Sequence, residues 1–241
     1  MKRTFLKTKV VSAFIVTSLA ISLIGYLLVN NDGYQLFGTL ITNVDTDDPV
    51  IALTFDDGPV PERTSQILQI LESENVKATF FVNGSSLKKH PKASRLLLNS
   101  GHEIGNHSYS HKRMILMSYQ EVTQELEDTE ALIRQYGYQG VLRFRPPFGK
   151  KLFMLPLYLS NNNIETIMWD VEPETWSTPR NSVEDRINRG INGTKSGSII
   201  IMHVMHGDNK SMQAITPMIR GLKAKGFNFV TVGELLKRQQ S

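Results

Sequence analysis

The chain of 241 residues contains no cysteine. That excludes disulfides, thiolate zinc sites and cysteine nucleophiles, and it leaves histidine, aspartate and glutamate as the strong metal ligands. An excess of one charge is also lacking: 27 Lys and Arg against 23 Asp and Glu leave +4. Part of that excess sits at the two ends, in Lys2, Arg3, Lys7, Lys9, Lys237 and Arg238. With no basic block or helix face, nucleic acid is not an expected partner, whereas a mildly basic surface suits a polyanionic cell wall. No linker or repeat interrupts residues 49–241, and 40% hydrophobic with 21% charged residues is an ordinary globular composition. That stretch therefore reads as one domain.

What is present begins with a single long hydrophobic run. Residues 10–29, VVSAFIVTSLAISLIGYLLV, carry no charge, and at about 1.5 Å per residue such a run matches a bilayer core of about 30 Å. The basic segment 1–9 is expected to stay on the cytoplasmic side, which places the rest of the chain outside. Asn30, Asn31 and Asp32 offer no small-x-small cleavage pattern, so the expectation is an uncleaved, single-pass signal anchor in the cell membrane; the alternative is secretion after cleavage. Residues 30–48 lack periodicity and read as a stalk.

From residue 49 onward, β-like runs alternate with helical patterns. VIALTFDD, KATFFVNG, HEIGNH, VLRFRPP, IETIMWDV, SIIIMHV and FNFVTV are separated by amphipathic stretches at 64–75, 87–99, 118–136, 150–161, 182–192 and 212–225, about seven βα units. Ser118 with Glu121 predicts a capping box, and Gly137 predicts the end of that helix. Apolar, β-branched runs such as SIIIMHV suit strands covered on both faces, hence a parallel sheet closed or nearly closed into a barrel. The conspicuous polar residues fall at the carboxyl ends of these runs: Asp56 and Asp57, His107, Arg145, Asp170 and Glu172, and His203. In a barrel those ends converge on one face.

HSYSH places His107 and His111 four residues apart, so that both imidazoles reach one side of a turn. An Asp from another strand end would complete a 2-His-1-carboxylate site with open positions, which favours Zn²⁺ or a similar divalent ion. If one acid of the adjacent pair in TFDDGP binds the metal, its neighbour stays free to take a proton.

In order and spacing, TFDDGP (54–59), HSYSH (107–111), RPPFG (145–149), WDVEPETW (169–176) and IMH (201–203) resemble the motifs of the polysaccharide deacetylases, carbohydrate esterase family 4 or the nodulation-factor deacetylase homology domain. The resemblance spans about residues 49–235 and implies a distorted (β/α)7 barrel. Carried over residue by residue, it implies that Asp57, His107 and His111 hold the metal, usually zinc, and that Asp56 is the general base, paired with Arg145. It further implies an oxyanion donor in the N–H of Phe148, a general acid in His203, and an acetyl pocket walled by Ile201 and Trp176. The implied reaction removes N-acetyl groups from N-acetylglucosamine-type residues of peptidoglycan or a related wall glycan. The alternatives are an O-acetyl polysaccharide esterase and a non-catalytic, metal-binding, wall-associated domain.

One motif departs from the family pattern D-x-x-D-W. Thr175 occupies the place of the second acid, which in the family supports the catalytic histidine, and Val204 follows His203 where many members have Asp. Glu174, Asp170 and Glu172 stand near enough in sequence to substitute. The sequence leaves their directions open, along with the oligomeric state.

Overall fold

A computed structural model describes residues 2–174, 181–206 and 209–240, with side chains from residue 14 onward. Thr175 and Trp176 lie outside the described residues. In chain order the elements are α1 (Lys2–Val29), β1 (Leu40–Ile41), β2 (Val50–Asp56), α2 (Pro61–Ser73), β3 (Thr79–Val82), α3 (Gly84–Lys89), α4 (Pro91–Leu98) and β4 (Glu103–Asn106). They continue with α5 (Tyr119–Gln135), α6 (Met154–Asn161), β5 (Thr166–Ile167), α7 (Val183–Gly193), β6 (Ile199–Met202), α8 (Lys210–Ala224), β7 (Asn228–Val230) and α9 (Val232–Leu236).

The sheet is parallel, with order β4-β3-β2-β6 and β7 paired to the first residues of β2. Every residue of β2, β3 and β6 is buried. Burial on both faces is what their β-branched and aromatic content requires, because helices cover one side and barrel contents the other. Phe55, Phe80, Ile67, Leu71, Ile200 and Met202 belong to the largest apolar cluster.

The ring closes through single residues. Phe144 bridges Asn106 on one side and Thr166 on the other, and Val171 bridges Ile200. VLRFRPP is therefore not the full strand its composition predicts, and IETIMWDV supplies only the two residues of β5. The Arg145 N–H still donates to the Asn106 carbonyl at 3.0 Å, but Pro146 and Pro147 have no N–H with which to continue a ladder. Proline also divides the helix predicted over 87–99: α4 starts with Pro91 at its first position, where the missing donor is harmless, although in mid-helix it would not be. The Ser118 capping box forms as predicted, with the Glu121 N–H donating to the Ser118 hydroxyl and Glu121 Oε2 accepting from the Ser118 N–H.

Part of the segment read as a stalk is packed. β1 pairs in parallel with β5, the Val44 N–H donates to Gly197 O at 2.9 Å, and the Phe37 ring meets Phe153 edge-on at 5.3 Å. The packed body thus starts well before Pro49. Residues 10–29 lie within α1, where Phe14, Leu19, Leu23 and Leu27 are exposed and Leu28 and Val29 half-buried. Among the described residues no helix is long and apolar enough to cross a membrane.

Candidate active site

Three strands of the central sheet, β2, β4 and β6, deliver pieces of the site at their carboxyl ends. Asp56 is the last residue of β2, Asp57 follows it, His107 follows β4, and His203 follows β6. Together they line a cavity of about 520 Å³ with Asp32, His111, Phe148, Lys150, Trp169, Glu172, Ile201 and His206. Ile201, which the family resemblance implies as a pocket wall, is one of the lining residues. Trp169, the first tryptophan of WDVEPETW, is a wall the resemblance did not assign.

The turn after β2 divides the two acids. Asp57 takes a left-handed backbone, φ 75°, and Gly58 follows at φ 73°. A Cβ at Gly58 would come within 2.7 Å of Met205 Cγ, so glycine is needed there for space as well as for its dihedral. The reversal sends the two carboxylates in different directions.

Asp56 points to Arg145. Arg145 is wholly buried, and its Nη1 donates to Asp56 Oδ1 at 2.7 Å and to Thr54 Oγ1 at 2.8 Å. Its Nε and Nη2 donate to the carbonyls of Ile167 and Met168 at 3.1 and 3.0 Å, and its guanidinium stacks 4.1 Å from the Phe81 ring. Buried cations are tolerated when paired and bonded in this way. Burial alone would raise the Asp56 pKa, but the charges of Arg145, His107 and His203 together with the Arg145 hydrogen bond outweigh it and hold the carboxyl below its ordinary value. Asp56 is a carboxylate at neutral pH.

Asp57 points to the histidines. One ligand atom from each of Asp57, His107 and His111 lies within 4.8 Å of the others, and His111 Nε2 stands 3.3 Å from Asp57 Oδ1. His107 donates from Nδ1 to the Arg145 carbonyl at 2.7 Å, which fixes the tautomer and leaves Nε2 as a lone-pair donor, the usual arrangement of a metal-binding imidazole. Burial pushes the His111 pKa down, against the charges of Asp57 and Asp56, which favours the neutral, ligating form of this ring. The donor set fits a divalent ion such as zinc. His111 and Ser108 both have left-handed backbones, φ 57° and 63°. Their loop is held from outside by Glu125 of α5, whose carboxylate accepts from the N–H groups of Tyr109 and Ser110 and from the Ser110 hydroxyl.

Across the cavity, His203 has its own acid. Glu174 Oε2 accepts from both the His203 N–H and Nδ1, at 2.9 and 2.7 Å. The Ser211 hydroxyl donates to the other Glu174 oxygen, and Arg186 Nη1 donates to Ser211 Oγ at 2.5 Å. Of the three substitutes for Thr175, Glu174 takes the role. Asp170 instead accepts from Ser198 Oγ and the Ile199 N–H at the sheet edge, and Glu172 faces the cavity. Burial works against a charged His203, but the Glu174 hydrogen bond and the charges of Asp56, Glu174 and Asp57 prevail and raise its pKa to about 9. Glu174→Gln removes the Glu174 charge and leaves only a weaker, neutral acceptor for the Nδ1 proton. It should move the alkaline limb of activity down toward the ordinary histidine range near 6.5, lowering the rate at pH 8 roughly tenfold with little change at pH 6. A pH profile superimposable on wild type would exclude Glu174 from this role.

A base held ionised and an acid held protonated, facing each other over a cation triad, define a hydrolase. The comparisons agree: residues 43–187 match the polysaccharide deacetylase family, and this chain belongs to it. It is 36% identical over 201 residues to the peptidoglycan-N-acetylmuramic acid deacetylase PdaC of Bacillus subtilis, covering 82% of this chain and 41% of that protein's length. Among solved structures, the Bc1960 peptidoglycan N-acetylglucosamine deacetylase superposes with a TM-score of 0.77 at 29% identity, covering 84% of this chain and 96% of that one. BA3943, a CE4 family pseudoenzyme from Bacillus anthracis, superposes with a TM-score of 0.76 at 28% identity over 86% and 72% of the two chains.

Proposed function

We propose that the chain removes N-acetyl groups from N-acetylglucosamine-type residues of peptidoglycan, with a divalent ion, zinc, held by Asp57, His107 and His111. The observation that carries this reading is the opposition of Asp56 and His203 across one cavity, each fixed in its working protonation state by a buried partner. When bound, the ion supplies Lewis-acid polarisation of water and of the amide carbonyl.

The chain's own groups supply the proton transfers and the shape. Asp56, oriented by Arg145, accepts the proton of the attacking water. The Phe148 N–H, the first donor after two prolines, suits the oxygen of the tetrahedral intermediate. His203 gives a proton to the departing amine nitrogen and regains one from solvent as Asp56 releases the proton it took, the charges of Glu174 and of the restored Asp56 carboxylate favouring the imidazolium. Ile201 and Trp169 bound the space for the acetyl methyl group. The likeness to a pseudoenzyme makes the acid's support decisive, and the position of Glu174 favours turnover over a binding-only domain.

The same reading places the domain outside the cell on α1 as an anchor. The uncharged run 10–29, the basic residues before it and the exposed apolar face from Phe14 to Leu27 support this. Expressed at full length, the protein should stay with membranes through an alkaline carbonate wash. In that fraction, with Zn²⁺, it should release acetate from an N-acetylglucosamine pentamer, read as loss of acetyl mass. Recovery in the wash would refute the anchor, whereas an unmodified pentamer, or activity confined to O-acetyl esters, would refute the substrate.

A further inference from the structure

The turn after α1 does not hang free. Lys150 Nζ donates to Asn30 Oδ1 at 2.9 Å and Lys151 Nζ to the Asn31 carbonyl at 3.0 Å. Both lysines directly follow RPPFG, the loop that carries Phe148, and Lys151 is only 2% exposed. Asp32 lies against the same loop: a Cβ built at Gly149 would sit 3.3 Å from Asp32 Oδ1, and Gly149 itself has φ +67°. From there to β1 the chain stays on the body through Phe37 on Phe153 and the close approach of Gly38 to Ser160.

Asp32 lines the cavity together with Glu172 and Lys150, close enough for its charge to act on Glu172. It accepts no hydrogen bond from any described residue. Phe148, Trp169 and Ile201 give the cavity apolar walls beside the acids and imidazoles of the site. Apolar walls for a methyl group next to further acceptors and a cation suit a pyranose, whose hydroxyls need acceptors and whose acetamide points toward the catalytic groups.

We propose that Asn30–Gly33 is a fixed wall of the substrate pocket and that Asp32 is a specificity-determining residue, accepting hydrogen bonds from the hydroxyls of the sugar whose acetamide enters the site. This deepens the deacetylase reading and rests on it. The neighbouring lysines hold the wall, and Asp32 itself reads the sugar.

The test is binding, so that it does not depend on turnover. Full-length, zinc-loaded protein carrying Asp56→Asn serves as a non-hydrolysing trap, titrated calorimetrically with the N-acetylglucosamine pentamer. Adding Asp32→Asn should raise Kd about tenfold, the loss expected for a hydrogen bond to a charged acceptor. Zinc content and the midpoint of thermal unfolding, measured for Asp32→Asn alone, should both be unchanged. An unchanged Kd overturns the proposal, and so does a parallel loss of zinc or of thermal stability, which would make the residue merely structural. Failure of the deacetylase reading looks different: no acetate from the wild-type chain. Asp32→Ala, lacking both charge and amide, should weaken binding at least as much as Asp32→Asn.

Discussion

Asp56→Asn is expected to lower the rate of acetate release about a thousandfold while the protein keeps its zinc. Asparagine is nearly the same shape, and its carbonyl oxygen can still take the Arg145 Nη1 hydrogen bond, so the buried guanidinium is not stranded. What disappears is the acceptor for a proton. The loss should be largely in kcat, because the carboxylate acts on the attacking water and not on the sugar. Zinc per chain, measured by mass spectrometry of the purified protein, separates the two possible failures. If zinc is lost together with activity, Asp56 is a ligand, and the division of labour between the two acids is wrong.

Asp57→Ala should do the reverse in order of events, weakening zinc more than about a hundredfold and abolishing activity as a consequence. Asp57 is the only carboxylate in the triad, and His111, on a left-handed backbone, faces it directly. His107 should keep its orientation in the variant, since its Nδ1 bond to the Arg145 carbonyl does not involve Asp57. Residual affinity should therefore persist at the two imidazoles. Competition titration against a chelator checks this, and excess zinc should restore part of the activity. Wild-type affinity in Asp57→Ala would move the metal site elsewhere. With the Asp56 pKa depressed and that of His203 raised to about 9, the wild-type rate should form a plateau whose alkaline edge belongs to His203. Below that edge the acid is protonated, and above it the proton is gone.

Much of this site could be read from the sequence because it is built at strand ends. VIALTFDD and SIIIMHV are continuous apolar runs that are strands for want of any other way to bury both faces, and a residue placed just past such a run is placed on the barrel face. The same logic fails where regular structure stops. VLRFRPP looks like a strand but contributes one bridging residue, because two prolines follow it and Arg145 must turn inward. Glu174 could not be separated from Asp170 and Glu172, since the segment after β5 has no period from which direction could be inferred. A carboxylate one residue earlier and one methylene longer reaches the histidine that Thr175 leaves unsupported. Glu125 carries no local signal either, because its partners lie on a loop that folds onto α5 from the preceding strand.

The packing of the first residues after α1 has a consequence of scale. Two residues, Asn30 and Asn31, lie between Val29, the last of α1, and Asp32, and an extended chain covers at most about 3.6 Å for each of the three steps. The pocket mouth is thus within roughly 10 Å of the helix end. The lysine contacts hold that interval shut, where a loose tether would let it vary. If α1 is a bilayer anchor, as proposed, so short a tether acts as a ruler, confining the pocket to glycan close to the membrane.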